Sequence, residues 1–285
     1  MASPTFFNRK PYKFGLTLSG GGAKCMAHIG MLKYLEEQGI KPDIISGASG
    51  GALVGALYAA GHTPDNIFSF FVENQMFKID NFSFNKLGII NSERLKKHFK
   101  GWIKRDNFDA LDIPLYVATT DLNTAHQVVF NEGPLLPALL ASAAYPGMFT
   151  PVEIDGKLFS DGGITNNFPT DLINDQCQAH LGMYLSPLEH KESDEFANAF
   201  DVLDRVFEIY SSAHLLKSMK LPDVCIAPEG IDKWGAFNVD NESLQQLYDL
   251  GYDATKSHFE HKDAEWLADV KQSLDKKSFL EYLTS

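Results

Sequence analysis

The sequence predicts an α/β fold on a mostly parallel sheet, and three observations carry that prediction. Apolar runs of strand length alternate with helical periodicity, strand, helix, strand, helix, between Phe14 and Gly61. Glycines punctuate both strand-to-helix junctions, as "SGGGAK" after the first run and "SGASGG" after the second. Later apolar runs, "PLYVATTDL", "HLGMYLSP" and "PDVCIAP", recur between helical segments. Strands joined through helices in this way form parallel pairs with right-handed crossovers.

Each element follows from local signals. Phe14 to Leu18 reads as a buried strand, and Ala23 to Gln38 as a helix with apolar Ile29, Leu32 and Leu35. Gly39 and Pro42 supply its stop. Asp43 to Ser46 is a second strand and Gly50 to Ala60 a second helix closed by Gly61. Thr63 caps a third helix with Pro64 at its first position. The aromatic residues that follow, Phe68, Phe70, Phe71, Phe77, Phe82 and Phe84, read as core before they read as an acyl-chain tunnel or lid. Ser92 opens a helix to Trp102, "HQVVFNEG" is a short strand and turn, and "LLPALLASAAYPG" is a buried helix broken at Pro146 and Gly147. An amphipathic helix spans about Phe196 to Met219, and charged helices close the chain. With no internal repeat or linker, one domain over 14–262 is expected, flanked by an extension at 1–13 and a helical tail at 263–285 packed on it.

Composition bounds the function. The chain has 285 residues, 44% of them hydrophobic, ample for a sizeable core. A net charge of −12 disfavours nucleic acid as a partner and gives no overall attraction to anionic membrane surfaces, although local patches can differ from that average, so any lipid contact must be mainly apolar. Cys25, Cys177 and Cys225 are odd in number and widely spaced, which suggests neither a disulfide framework nor a zinc site. No metal or other cofactor is expected. The N-terminus lacks a charged region followed by an apolar run, and "IISGASGGALVGALYAAGHTP" reads as strand, turn and helix instead of a membrane span. A cytoplasmic, reducing location is the expectation.

What must approach the backbone at Gly20, Gly21 and Gly22 so closely that no side chain is tolerated? A phosphate-binding P-loop would need Gly-Lys-Ser/Thr where Gly20 and Gly21 stand. A dinucleotide fingerprint would need a small residue at Cys25 and an acidic residue closing the second strand, whereas Asp43 precedes it. The third candidate is an oxyanion. Gly47-Ala48-Ser49-Gly50-Gly51 matches G-x-S-x-G, the strand-to-helix elbow that presents a nucleophilic serine. One β-α-β unit brings this elbow and the glycine loop to the same carboxyl end of the sheet, each at a helix N-terminus. The loop's bare N–H groups are then placed to stabilise an alkoxide beside Ser49. For the base, His180, His190 and His214 lie in no distinctive turn, whereas Asp161 in "SDGGITNNFP" stands at a strand end. His28 reads as a core histidine, and His258 and His261 as a solvated helix face.

In order, "GGGAKC", "GASGG" and "DGG" resemble the patatin-like phospholipases, bacterial-type serine acyl hydrolases, with further likeness in "VATTDLNT", "ASAAYPGMFTPVEI" and "DVCIAP". The resemblance covers about Phe14 to Phe259. It implies a three-layer α/β/α fold and calcium-independent hydrolysis of fatty-acyl esters of phospholipids, lysophospholipids or related lipids, through an acyl-serine intermediate. It implies a catalytic dyad of Ser49 as nucleophile and Asp161 as base, without histidine, and an oxyanion hole from Gly20, Gly21 and Gly22 with Gly50 as a further donor. Lys24 matches the family's basic position, and Cys25 departs from its usual glycine. The implied partner is a lipid or acyl ester, met through transient contact with a membrane surface. The rival reading is a non-catalytic lipid-binding or regulatory module that kept the fold; lipid-class profiling beside Ser49→Ala separates the two.

Overall fold

In the computed structural model, which describes residues 10–77, 93–197, 199–212, 215–237 and 239–284, the first apolar run forms strand β1 (Tyr12–Leu18) at the middle of the sheet. It pairs in parallel with β2 (Ile44–Ala48) on one side and β7 (Cys177–Met183) on the other. Beyond β7 lies β8 (Val224–Ile226), and beyond β2 lies β3 (Leu115–Asp121), both parallel. Three antiparallel strands complete the sheet: β4 (His126–Phe130) pairs with β3, as does β6 (Lys157–Asp161), and β5 (Val152–Ile154) pairs with β6.

One detail of register positions the site. Val117 and Ala118 of β3 pair with β4 and also with β2, while Thr119, Thr120 and Asp121 pair with β4 and also with β6. Strands β2 and β6 therefore lie end to end along the same edge of β3, running towards each other. Ala48 stands opposite Ala118 and Asp161 opposite Thr119, so the last residues of the two strands meet.

The adjacent residues Ile44 and Ile45 belong to different apolar clusters, as do Tyr116 and its neighbours Leu115 and Val117. Alternation along a strand then puts the two clusters on opposite faces of the sheet. The larger one surrounds Phe14, Leu16 and Leu18 and takes in helices α1 (Met26–Glu37), α2 (Gly50–Ala59), α3 (Pro64–Glu73) and α5 (Leu135–Ser142). Each fully buried Leu or Phe contributes about 1.5–3 kcal/mol. Helix α4 (Glu93–Phe99) packs on α5, and α1 packs on α9 (Asn241–His261). That crossing runs through two glycines: a Cβ at Gly30 would lie 2.0 Å from the Tyr248 carbonyl, and one at Gly251 would lie 2.0 Å from the Ala27 carbonyl. The chain continues in α10 (Ala264–Thr284), whose Trp266 stacks on Phe259 and meets Phe14 edge-on.

The expected third helix is capped as predicted, Thr63 Oγ1 accepting from the Asn66 N–H (3.3 Å). Phe70 and Phe71 are core, in contact with each other and with Phe99 and Phe77. Phe82, Phe84, Ser92 and His214 lie outside the described residues. The amphipathic segment divides into α7 (Ala199–Ser211) and α8 (Leu215–Ser218), and "DGG" leads from β6 into the single turn α6 (Gly163–Asn166). A short 3-10 turn, Gly22–Cys25, precedes α1, so the first helix begins three residues later than its periodicity suggests.

Candidate active site

Ser49 sits between β2 and α2 with φ 50° and ψ −127°, a conformation that side chains rarely adopt and that costs about 1–3 kcal/mol. The flanking glycines make it attainable. A Cβ at Gly51 would lie 2.3 Å from the Leu18 carbonyl oxygen, and one at Gly47 would lie 2.8 Å from the Ala52 nitrogen. The turn is also anchored by a residue the sequence did not single out. The Ser49 N–H donates to Ser142 Oγ (2.9 Å), and that hydroxyl donates to the Ala118 carbonyl (2.7 Å). Ser142 is the last residue of α5, so the buried "LLASAAY" run braces the elbow against β3.

Asp161 ends β6, facing the end of β2. Its Oδ2 accepts the Ser49 hydroxyl at 2.7 Å and its Oδ1 accepts the Gly163 N–H at 2.7 Å. Its backbone is fixed as firmly, the N–H donating to Ala144 O (3.1 Å) and the carbonyl accepting from Thr120 Oγ1 (2.8 Å). The carboxyl is completely buried. Burial pushes its pKa up to about 7, against the lowering effect of the bonds from Ser49 and Gly163. A carboxylate poised near neutrality and bonded to a serine hydroxyl can take that hydroxyl's proton.

The glycine loop is divided in role. The Gly20 N–H donates to the Asn167 carbonyl (3.0 Å) and is not free for an oxyanion, so the expectation is narrowed at this position by a bond within the fold. Gly20 shapes the loop instead: a Cβ there would lie 2.2 Å from Asn167 Oδ1 and 3.2 Å from Ser49 Cβ. Gly21 and Gly22 line the cavity at Ser49, and among the described residues their N–H groups, like that of Gly50 at the start of α2, meet no acceptor. Cys25 is buried with its pKa pushed up by that burial, and its Cβ lies 2.9 Å from where a Gly50 Cβ would stand. Its thiol fills space between loop and elbow.

Ser49 lies where two cavities meet. One is apolar, walled by Leu53, Met76, Phe77, Ala143, Phe149 and Phe237. The other is polar and holds Asp161, Lys24, Asn167, Ser186, Tyr145 and, from α7, Asp204 and Glu208. Burial lowers the Lys24 pKa, against the raising influence of Glu208 and Asp204. Asp204 is raised by burial and accepts the Tyr145 hydroxyl at 2.5 Å. Glu208 is paired with Lys191 (3.2 Å) and Arg205 (3.0 Å).

The described histidines bond elsewhere. His28 Nε2 donates to the Ser19 carbonyl (2.8 Å), and His180 Nε2 pairs with Thr17 Oγ1 (2.8 Å). Burial holds both near pKa 4. His190 is exposed beside Glu192 (3.4 Å), and His258 bonds Asp263 (2.7 Å). Among the described residues no group of three or more His, Cys, Asp or Glu side chains could hold a metal ion, and no helix is long and apolar enough to cross a membrane.

Comparison with known proteins agrees with this architecture. The family model described as Patatin-like phospholipase matches residues 16–173, which include the glycine loop, the elbow and Asp161. An uncharacterized NTE family protein of Mycobacterium tuberculosis is 33% identical over 159 residues, covering 55% of this chain and 44% of the relative. The neuropathy target esterase sws of Drosophila melanogaster is 27% identical over 219 residues, covering 74% of this chain and 15% of that protein. The chain thus spans less than half the length of these relatives. Among solved structures, VipD from Legionella pneumophila has the same fold, with a TM-score of 0.51 at 15% identity over 87% of this chain and 66% of that one.

Proposed function

Because the chain belongs to the patatin-like phospholipase family, we propose that it is a lipid acyl hydrolase working through a Ser49/Asp161 dyad. The observation that carries this reading is the 2.7 Å bond from Ser49 Oγ to a buried carboxylate, placed where an apolar and a polar cavity meet. The apolar cavity marks the side of Ser49 towards which the acyl chain lies, and the polar cavity the side of the alcohol of a phospholipid or lysophospholipid ester. Asp161 removes the hydroxyl proton as Ser49 Oγ attacks the ester carbonyl. The N–H groups of Gly21, Gly22 and Gly50 receive the oxyanion, each worth about 3–4 kcal/mol in the transition state. Collapse expels the alcohol, which takes the proton from Asp161, and leaves an acyl-serine. Water, deprotonated by Asp161, attacks that ester, and as the acyl–oxygen bond breaks Asp161 returns the proton to Ser49 Oγ, releasing the fatty acid and restoring the dyad.

The N–H groups and the near-neutral carboxylate supply the charge stabilisation and proton transfer, so no step calls for calcium. Three unpaired cysteines suit a reducing, cytoplasmic setting. The test is a fluorophosphonate probe with peptide mapping, run beside lipid-class hydrolysis by wild type and Ser49→Ala. Labelling at Ser49, loss of hydrolysis in the variant and an unchanged rate in excess chelator are expected. Turnover that survives Ser49→Ala, or that chelator removes and calcium restores, would refute the mechanism. A folded protein that binds lipid and hydrolyses none would favour the non-catalytic module.

A further inference from the structure

We propose that the outward face of α7 and α8 is the surface by which this protein seats itself on a lipid bilayer; this rests on the lipid-hydrolase reading above. A helix on a protein surface ordinarily turns its apolar stripe inward and its charges to water. Helix α7 does the reverse. Val202, Leu203, Val206, Ile209 and Tyr210 are 49, 58, 56, 53 and 61% exposed. At 100° per residue they form one stripe about 120° wide. Its opposite side carries Asp204, Phe207, Glu208 and Ser211, all lining the polar cavity at Ser49. The acidic groups there are already engaged, Asp204 with Tyr145 and Glu208 with Lys191 and Arg205.

The next helix along the chain, α8, carries another outward apolar side chain, Leu216, which is 79% exposed. Beside it stand Lys217 and Lys220, both exposed and with no ion-pair partner among the described residues. On a chain of net charge −12 this face is apolar with a cationic margin. That combination complements a bilayer containing anionic lipid, in which the side chains enter the acyl boundary and the lysines stay at the headgroups. Continuity with the site points the same way. The stripe and the cavity wall are two sides of one helix, about 10 Å across, so a bilayer held on the outer side lies one helix diameter from the cavity that contains Ser49.

The experiment uses Ser49→Ala protein, which leaves vesicles intact, in co-sedimentation with phosphatidylcholine vesicles with and without phosphatidylglycerol. Binding to both is expected, tighter with phosphatidylglycerol. Val206→Asp with Ile209→Asp should abolish it. Lys217→Gln with Lys220→Gln should weaken binding to the anionic vesicles about tenfold and leave the neutral ones unchanged. In protein with Ser49 intact, Val206→Asp with Ile209→Asp should keep hydrolysis of a water-soluble short-chain ester within about twofold of wild type, and lose hydrolysis of vesicle lipid. Vesicle binding untouched by the aspartates would overturn the proposal. So would a dimer in solution that the aspartates dissociate, in a protein that binds no vesicles. Because co-sedimentation reads the Ser49→Ala protein, binding that follows these expectations in a protein that hydrolyses no ester would refute the hydrolase reading while upholding the docking surface.

Discussion

The floor of the polar cavity and the helix that covers it are built differently. On the floor, Asp161 is fully buried and Ser49 9% exposed, and their main chains are bonded to Ala144, Thr120 and Ser142. On the cover, α7 gives one side to the cavity and turns five apolar side chains to the outside. Backbone geometry determines the floor, so a single atom in the wrong place breaks it. Side-chain chemistry determines the cover, and its outer positions are free to vary in stability terms. Substitutions on the floor should therefore fall on turnover or folding, and those on the outer cover on neither when the substrate is soluble.

The largest expected effect is that of Asp161→Asn. The amide keeps the shape and gives up the basicity, and general-base contributions run to about 10²–10⁴-fold, so kcat on a soluble ester should fall by that factor. Wild-type kcat/KM should rise with pH through about 7, as the carboxyl ionises, and level off above. Circular dichroism confirms folding, and the pH–rate profile is the decisive measurement. A variant that kept both the rate and the limb near pH 7 would move the base elsewhere.

Much of that floor was legible in the sequence, because glycines record steric demands that act at short range. The run "GASGG" encodes a turn whose crowding by Leu18 and Ala52 comes from the same β-α-β unit. The meeting of Ser49 with Asp161 depends on β2 and β6 abutting along β3, a pairing between distant segments that "DGG" suggests but does not specify. Ser142 carries no signal in the sequence, because a serine in an apolar helix looks like filler until the Ser49 N–H is placed against it. The glycine run offers Gly20 as an oxyanion donor, yet its N–H goes to the carbonyl of Asn167, an acceptor far along the chain. The amphipathic pattern of α7 was visible, but which face points outward depends on what it packs against.

Packing at the elbow comes next. Gly51→Ala puts a methyl 2.3 Å from the Leu18 carbonyl and 2.5 Å from that of Ser19, where backbone must yield. The cost should reach or exceed the ~1–3 kcal/mol of ordinary overpacking. Leu203→Gln on the outer face of α7 should shift stability by no more than about 0.5 kcal/mol. Denaturant midpoints at constant m-value make the comparison, and equal losses at the two positions would erase the distinction between floor and cover.

Ser142→Ala tests the brace. It leaves the buried Ser49 N–H without its acceptor, for about 1–3 kcal/mol of stability, and loosens a strained residue by a fraction of an ångström. Turnover should fall by no more than about 10²-fold, less than for Asp161→Asn, because the proposed nucleophile and base both remain. Rescue by Ser142→Thr, which restores a hydroxyl, would show that the acceptor matters and not the volume.

The smallest effects concern pH and stability, where buried groups of opposite sign compete. Asp161 is shifted from 3.8 to about 7, so the folded state holds its proton more tightly than the unfolded state. Its contribution is fully present below about pH 4 and is lost as the pH rises to 7. His28 and His180 are shifted from 6.5 to about 4, so the unfolded state binds their protons more tightly. Their contributions are present above about pH 6.5 and are lost as the pH falls towards 4. Between pH 4 and 6.5 the three slopes therefore oppose one another, two histidines rising with pH and one aspartate falling. Removing the aspartate by Asp161→Asn should expose the histidine slope, making stability climb more steeply over that window than in wild type. Replacing His180 with Asn should flatten it, while the activity stays within about twofold because the imidazole bonds Thr17 and neither Ser49 nor Asp161. Thermal melts at intervals from pH 4 to 7 on wild type and the two variants decide it. An Asp161→Asn profile parallel to wild type would mean that the carboxyl is not shifted in the folded protein, and the proposed base would lose its tuning.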